Sequence, residues 1–119
     1  LTLAGRKGDM YVRGGYNVYP VEVERRISEH ELVEQVAVVS IDDPVLGEIG
    51  VAAVVPGFRE PTLIELRAWG ATTLADYKLP DQLLVVDAMP LTAIGKIDRR
   101  ELAARAADQR SHGTREAGR

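Results

Sequence analysis

Val33-Glu34-Gln35-Val36-Ala37-Val38-Val39-Ser40-Ile41 is the stretch on which the fold turns. Valine and isoleucine recur through it, and β-branched side chains lose freedom in a helix but pack well on a pleated surface. The expectation is a strand buried on at least one face, ended by Asp42-Asp43-Pro44. Working outward, Gly50 to Val55 reads as a second strand closed by Pro56-Gly57, and Gln82 to Val86 as a third. Upstream, residues 9–19 hold two short β-prone runs around Gly14-Gly15, the pattern of a hairpin.

Helical signals fill the gaps. Pro20 suits a first turn, and Val23 and Ile27 lie on one face of a helix expected to run to about His30. Glu22 and Glu24 on that helix are expected to pair with Arg25 and Arg26, and Tyr19 to pack on it. Thr62 and Glu65 spell a capping box for a helix that turns Leu63, Leu66 and Trp69 inward. Tyr77-Lys78-Leu79-Pro80 is a connector. Asp98 can cap a last helix, with Glu101 three residues on, expected to reach about Ala107. Residues 108–119 carry no large apolar side chain and are expected to form a disordered tail. The fold class is therefore α+β: a small sheet of about three core strands plus an N-terminal hairpin, covered by helices.

At 119 residues, with 45% hydrophobic and 28% charged side chains, the chain fits one globular domain. A net charge of −3 argues against a general binder of nucleic acid or anionic membranes. The absence of cysteine excludes a disulfide framework and a cysteine-based zinc site, and His30 and His112 are too far apart in sequence to suggest a histidine metal cluster, so no metal site is expected. No apolar run approaches the roughly 20 residues of a membrane helix, and no signal-peptide pattern is present, which makes a cytoplasmic protein the expectation. The opening Leu1-Thr2-Leu3-Ala4-Gly5 has no initiator Met and reads as a piece of a longer or processed polypeptide, in which case a site could be divided.

The chemistry concentrates in Pro90-Leu91-Thr92-Ala93-Ile94-Gly95-Lys96-Ile97-Asp98. Gly95 lets the backbone turn, and the helix start after Lys96 anchors the far side. A long cation at a loop tip is useful where negative charge develops on phosphate or carboxylate oxygens. The stretch is not a P-loop: Ile97 follows Lys96 where a magnesium-binding Ser or Thr would stand.

Three segments together carry a family likeness. Gly5-Arg6-Lys7-Gly8-Asp9, then Gly14-Gly15-Tyr16-Asn17-Val18-Tyr19-Pro20-Val21-Glu22-Val23-Glu24, then Pro90 to Lys96, stand in the order and approximate spacing found in one superfamily. The chain resembles the C-terminal domain of the adenylate-forming enzymes, over roughly residues 3–105. Within that superfamily the wording is similar to acyl-CoA synthetases for fatty or aromatic acids. The resemblance implies a two-step ligase. A carboxylate first attacks the α-phosphate of ATP, with Mg2+ and ATP held mainly by a large N-terminal domain; coenzyme A thiol then displaces AMP. The small domain rotates between the steps.

The resemblance also implies roles. Lys96 would bridge substrate carboxylate and α-phosphate as the adenylation lysine, on a loop shaped by Thr92 and Gly95. Arg6 would contact ATP. Gly8 falls at the family's hinge, where Asp or Lys is usual, and Asp9 adjoins it in the hinge; glycine frees the pivot but offers no side chain to steady it, and Asp9 would also pin the hairpin. Gly14, Gly15 and Tyr16 would line the pantetheine tunnel, and Lys78 would approach the phosphates of coenzyme A. Acetylation of Lys96 would switch off the first step. The fragment alone is expected to be inactive. The alternatives are a non-catalytic interaction module with the same fold, or an adenylation domain that loads a carrier protein. The identity of the acid is not encoded in a domain that lacks the acyl pocket.

Overall fold

The computed structural model describes residues 10–117, with side chains through residue 111. Strands β1 (Tyr11–Arg13) and β2 (Tyr16–Val18) form a hairpin and lead into helix α1 (Pro20–Ser28). Strands β3 (Val33–Asp43) and β4 (Gly47–Pro56) make a long ribbon. Helix α2 (Leu63–Gly70), a short 3-10 turn at Asp76–Lys78, strand β5 (Gln82–Val85) and helix α3 (Arg99–Ala117) follow. The architecture is α+β, as the sequence pattern predicts.

Strand β4 organises the sheet. Along one edge it pairs antiparallel with β3, from Val33↔Pro56 to Asp43↔Gly47. Its other edge is shared: β1 meets it through Arg13↔Gly47, and β5 runs parallel to it from Val51↔Gln82 to Val54↔Val85. A parallel neighbour needs a crossover, and α2 lies in the connection that supplies it.

Both faces of the ribbon are covered. Val38, Ala52 and Val54 pack with Tyr11, Val18, Val23, Ile27 and Leu66, which brings α1 and α2 onto one face. Ala37, Val39, Ile41, Ile49, Val51 and Ala53 pack with Leu84, Leu102 and Ala106, which brings α3 onto the other. A strand buried on both sides reads as an unbroken apolar run rather than an alternation, which is why Val36-Ala37-Val38-Val39 is so uniform. The capping box on α2 is complete: Glu65 N donates to Thr62 Oγ1 at 3.1 Å, and Thr62 N donates to Glu65 Oε1 at 2.8 Å.

Several details depart from the local pattern. Helix α1 ends at Ser28, short of His30, whose Nδ1 accepts a bond from Leu32 N at 3.1 Å in the turn to β3. Strand β4 starts at Gly47, before Gly50, because cross-strand pairing with Asp42 and Asp43 extends it through poor strand formers. Helix α3 continues past Ala107 to Ala117. Its extension is tied down by polar contacts that no apolar pattern reveals: Gln82 Nε2 donates to Gln109 Oε1 at 2.8 Å, and Arg110 pairs with Asp43. Glu22 and Glu24 do not pair with Arg25 and Arg26. Glu22 binds Lys78, and Glu24 binds Arg99 and the Val38 N–H, because both carboxylates face neighbouring elements rather than their own helix. Tyr19 is 51% exposed rather than packed.

Candidate functional site

Lys96 sits on a miniature hairpin. Leu91 and Ile97 pair across its base, and Thr92 N donates to Lys96 O at 2.7 Å. Gly95 N closes the turn onto Thr92 O at 2.9 Å, with Gly95 at φ +87, a left-handed conformation that costs an L side chain about 1–2 kcal/mol. Thr92 adds a second tie: its Oγ1 accepts from Lys96 N at 3.2 Å. Asp98 N then donates to Pro90 O at 2.8 Å, and Asp98 Oδ1 caps α3 through Glu101 N at 3.1 Å. The backbone of Lys96 is thus held on both sides. Its side chain is exposed, and among the described residues the ammonium has no hydrogen-bond or ion-pair partner. A cation held by its backbone and uncommitted at its tip is free to meet an anion brought to it.

The Gly14-Gly15 turn is the second feature. Both residues have positive φ, +58 and +89, the conformation a two-residue hairpin turn requires. Gly14 N donates to Leu46 O at 2.8 Å, and a Cβ on Gly14 would press on Leu46 Cδ2 at 3.0 Å. A Cβ on Gly15 would meet nothing within 4 Å, so the backbone there borders open space. Tyr16, next in line, stacks on Tyr77 with ring centres 4.5 Å apart. Lys78 is committed to Glu22 at 3.0 Å, a contact that raises its pKa.

The two features are not brought together. Gly14 hangs on Leu46, next to the first residue of β4. Ile97 shares a concavity of about 460 Å³ with Gln35 and Val36, which pair with Val55 and Val54 near the other end of that strand. At about 3.3 Å per residue, the length of β4 between these points is on the order of 25 Å. Lys96 and the glycine turn therefore occupy opposite ends of the β3–β4 ribbon.

Arg6, Gly8 and Asp9, assigned to nucleotide contact and hinge, lie outside the described residues. Among the described residues, no group of three His, Cys, Asp or Glu could hold a metal ion.

Sequence reasoning missed the seam where β1 and β5 meet β4. Arg13 grips Asp81 with two bonds, Nε to Oδ2 at 2.9 Å and Nη2 to Oδ1 at 2.7 Å. Asp81 also accepts from Gly50 N at 3.3 Å, and its own N–H donates to Gly50 O at 2.8 Å. Beneath it, Tyr11 lies against Gly50, and burial together with the Asp81 carboxylate pushes the Tyr11 phenol well above its usual range. No spacing rule connects Arg13 with a residue 68 positions away. The one local hint was an arginine ending a strand whose other residues favour a sheet.

Comparison with known proteins places the chain. Residues 22–96 match the family model of the AMP-binding enzyme C-terminal domain, a span that ends on Lys96. A 2-succinylbenzoate–CoA ligase from Listeria monocytogenes is 43% identical over 107 residues, covering 88% of this chain and 22% of the relative. A long-chain-fatty-acid–CoA ligase from Bacillus subtilis is 41% identical over 102 residues, covering 84% of this chain and 18% of the relative. Among solved structures, a Mycobacterium tuberculosis fatty acyl CoA synthetase superposes with a TM-score of 0.78 at 36% identity, over 85% of this chain and 20% of that one. The chain thus spans about a fifth of the length of these relatives. No helix among the described residues is long and apolar enough to cross a membrane. With a family-model match over most of its folded part and acyl-CoA ligases among its relatives, the chain belongs to the AMP-binding enzyme C-terminal domain family.

Proposed function

We propose that this domain is the mobile C-terminal lid of a cytoplasmic, AMP-forming acyl-CoA synthetase acting on a fatty or aromatic carboxylic acid. The observation that carries the reading is the separation just described: an uncommitted cation at one end of a ribbon and a glycine turn bordering open space at the other. Two working ends on one rigid body suit a lid that offers each in turn to a larger N-terminal domain.

In the first step, Lys96 places its ammonium between the acid's carboxylate and the α-phosphate of ATP. These groups repel each other. A positive charge between them aligns the attack and stabilises the negative charge that builds up on the phosphate oxygens. The Thr92 and Gly95 bonds matter because they fix where the side chain starts. In the second step, the backbone at Gly15 leaves room for the pantetheine arm of coenzyme A, with Tyr16 beside it. Lys78 can serve the phosphates of coenzyme A only by exchanging its Glu22 partner for them. Arg6 would contact the nucleotide, and Gly8 with Asp9 would form the pivot. ATP and Mg2+ would be held mainly by the N-terminal domain, so the 119 residues alone would not adenylate.

The test separates the half-reactions in the full-length ligase. Lys96→Ala should lower acid-dependent pyrophosphate release by about 10²–10³, the typical cost of losing one such charge-stabilising donor. Thioester formation from supplied acyl-adenylate should survive. Gly15→Val should do the reverse. Near-normal adenylation by Lys96→Ala removes the role assigned to that lysine.

A further inference from the structure

The glycine turn sits on a hairpin that the backbone alone holds weakly. Strand β1 shares a single residue pair, Arg13↔Gly47, with the sheet. Beyond it and the Gly14 N–H bond to Leu46, the attachment is made by side chains. Arg13, the last residue before Gly14, is clamped to Asp81 by two parallel bonds. Val12 N donates to Glu48 Oε1 at 3.0 Å, and Tyr16, the first residue after Gly15, stacks on Tyr77. Tyr77 and Asp81 belong to the same short connector between α2 and β5, so the residue on each side of the turn is fastened to that connector.

The Arg13–Asp81 pair is the most directional of these ties. A bidentate guanidinium–carboxylate fork fixes angle as well as distance. Both side chains are largely shielded, at 22% and 17% exposed, and Asp81 is itself held by two bonds to Gly50 in the centre of the sheet. The chain of contact runs from β4 through Asp81 to Arg13 and on to the turn.

We propose that Arg13 and Asp81 are positioning residues for the thiol step: they set the Gly14-Gly15 turn at the height at which the incoming arm of coenzyme A passes it. The proposal rests on the acyl-CoA synthetase reading and names residues that the resemblance does not assign. Neither residue touches substrate. Their effect is geometric, and a misplacement of about 1 Å can cost on the order of 10²-fold in rate.

The experiment measures both half-reactions in full-length ligase carrying Arg13→Lys, Arg13→Met or Asp81→Asn, with a thermal melt of each. A lysine keeps the charge but lacks the planar fork that makes two parallel bonds and fixes their angle, so the thiol step at saturating coenzyme A should fall in the order Arg, Lys, Met. The expected loss is about threefold for Arg13→Lys and 10- to 100-fold for Arg13→Met and Asp81→Asn, on the scale cited above. Pyrophosphate release should stay within about twofold of the parent, because Lys96 works at the other end of the ribbon. Equal losses in both half-reactions, or losses that follow the melting temperature instead of the Arg, Lys, Met order, would mean a merely structural pair and overturn the proposal. A parent that makes the thioester while Arg13→Met makes it equally fast overturns the positioning role alone. A parent that makes no thioester with coenzyme A overturns the underlying reading as well.

Discussion

Gly50→Ala is a one-methyl test of the seam between hairpin and sheet. A Cβ built on Gly50 falls well inside contact distance of the Tyr11 hydroxyl and 3.1 Å from its Cζ. Tyr11 is 3% exposed and belongs to the core cluster beneath α1, so the ring cannot swing into solvent to make room. The added methyl must displace the ring or bend β4, and overpacking of this kind costs about 1–3 kcal/mol. In a domain of this size each kcal/mol lowers Tm by roughly 4–8 °C. Tyr11→Phe removes the colliding oxygen and leaves the gentler Cζ contact. The cost of Gly50→Ala should therefore be smaller by about 1 kcal/mol or more in the Tyr11→Phe background. The assay is reversible thermal or urea unfolding of the four proteins in that cycle. Additive costs, or a Gly50→Ala protein as stable as its parent, would refute the claim that this glycine is there to make room for the tyrosine.

Arg59 and the Thr62 N–H hold the Glu65 carboxyl down at about 2, below its usual value, so its contribution to stability is present above the unfolded carboxylate range near pH 4.5 and fades as pH falls toward 2. The stability difference between the parent and Glu65→Gln should shrink across that window in acid unfolding curves, and a difference that stays constant from pH 6 to 2 contradicts the assignment. At Gly95 the penalty is conformational alone, since a Cβ there would meet nothing within 4 Å. Adenylation should then decline in the order Gly, Asn, Ala, because Asn tolerates positive φ better than Ala; an Asn variant slower than Ala would count against it.

The Lys96 loop was legible because its determinants are local. Thr92, Gly95 and Asp98 act within a few residues of the lysine, and each makes the short-range bond its chemistry favours. The Thr62–Glu65 box and the Gly14-Gly15 turn were readable for the same reason. The Lys78–Glu22 pair was not legible because the two residues sit 56 positions apart, on a connector and on a helix far back in the sequence. The extension of α3 was unreadable because it rests on Asp43 and Gln82, which are distant along the chain.

From order and pattern alone came the α+β class, the strands, the helix starts and the candidate lysine. All of these depend on periodicity, propensity and capping, which act over a turn or a pleat. Tertiary structure alone decided that β1 and β5 share one edge of β4, and that both faces of the ribbon are covered. It also decided that the lysine and the glycine turn lie at opposite ends of that ribbon. The physical reason is that Arg13–Asp81 and Glu24–Arg99 join residues 68 and 75 positions apart. Such contacts form only once burial of the two apolar faces has brought the strands together, and nothing in the neighbourhood of either partner announces the other.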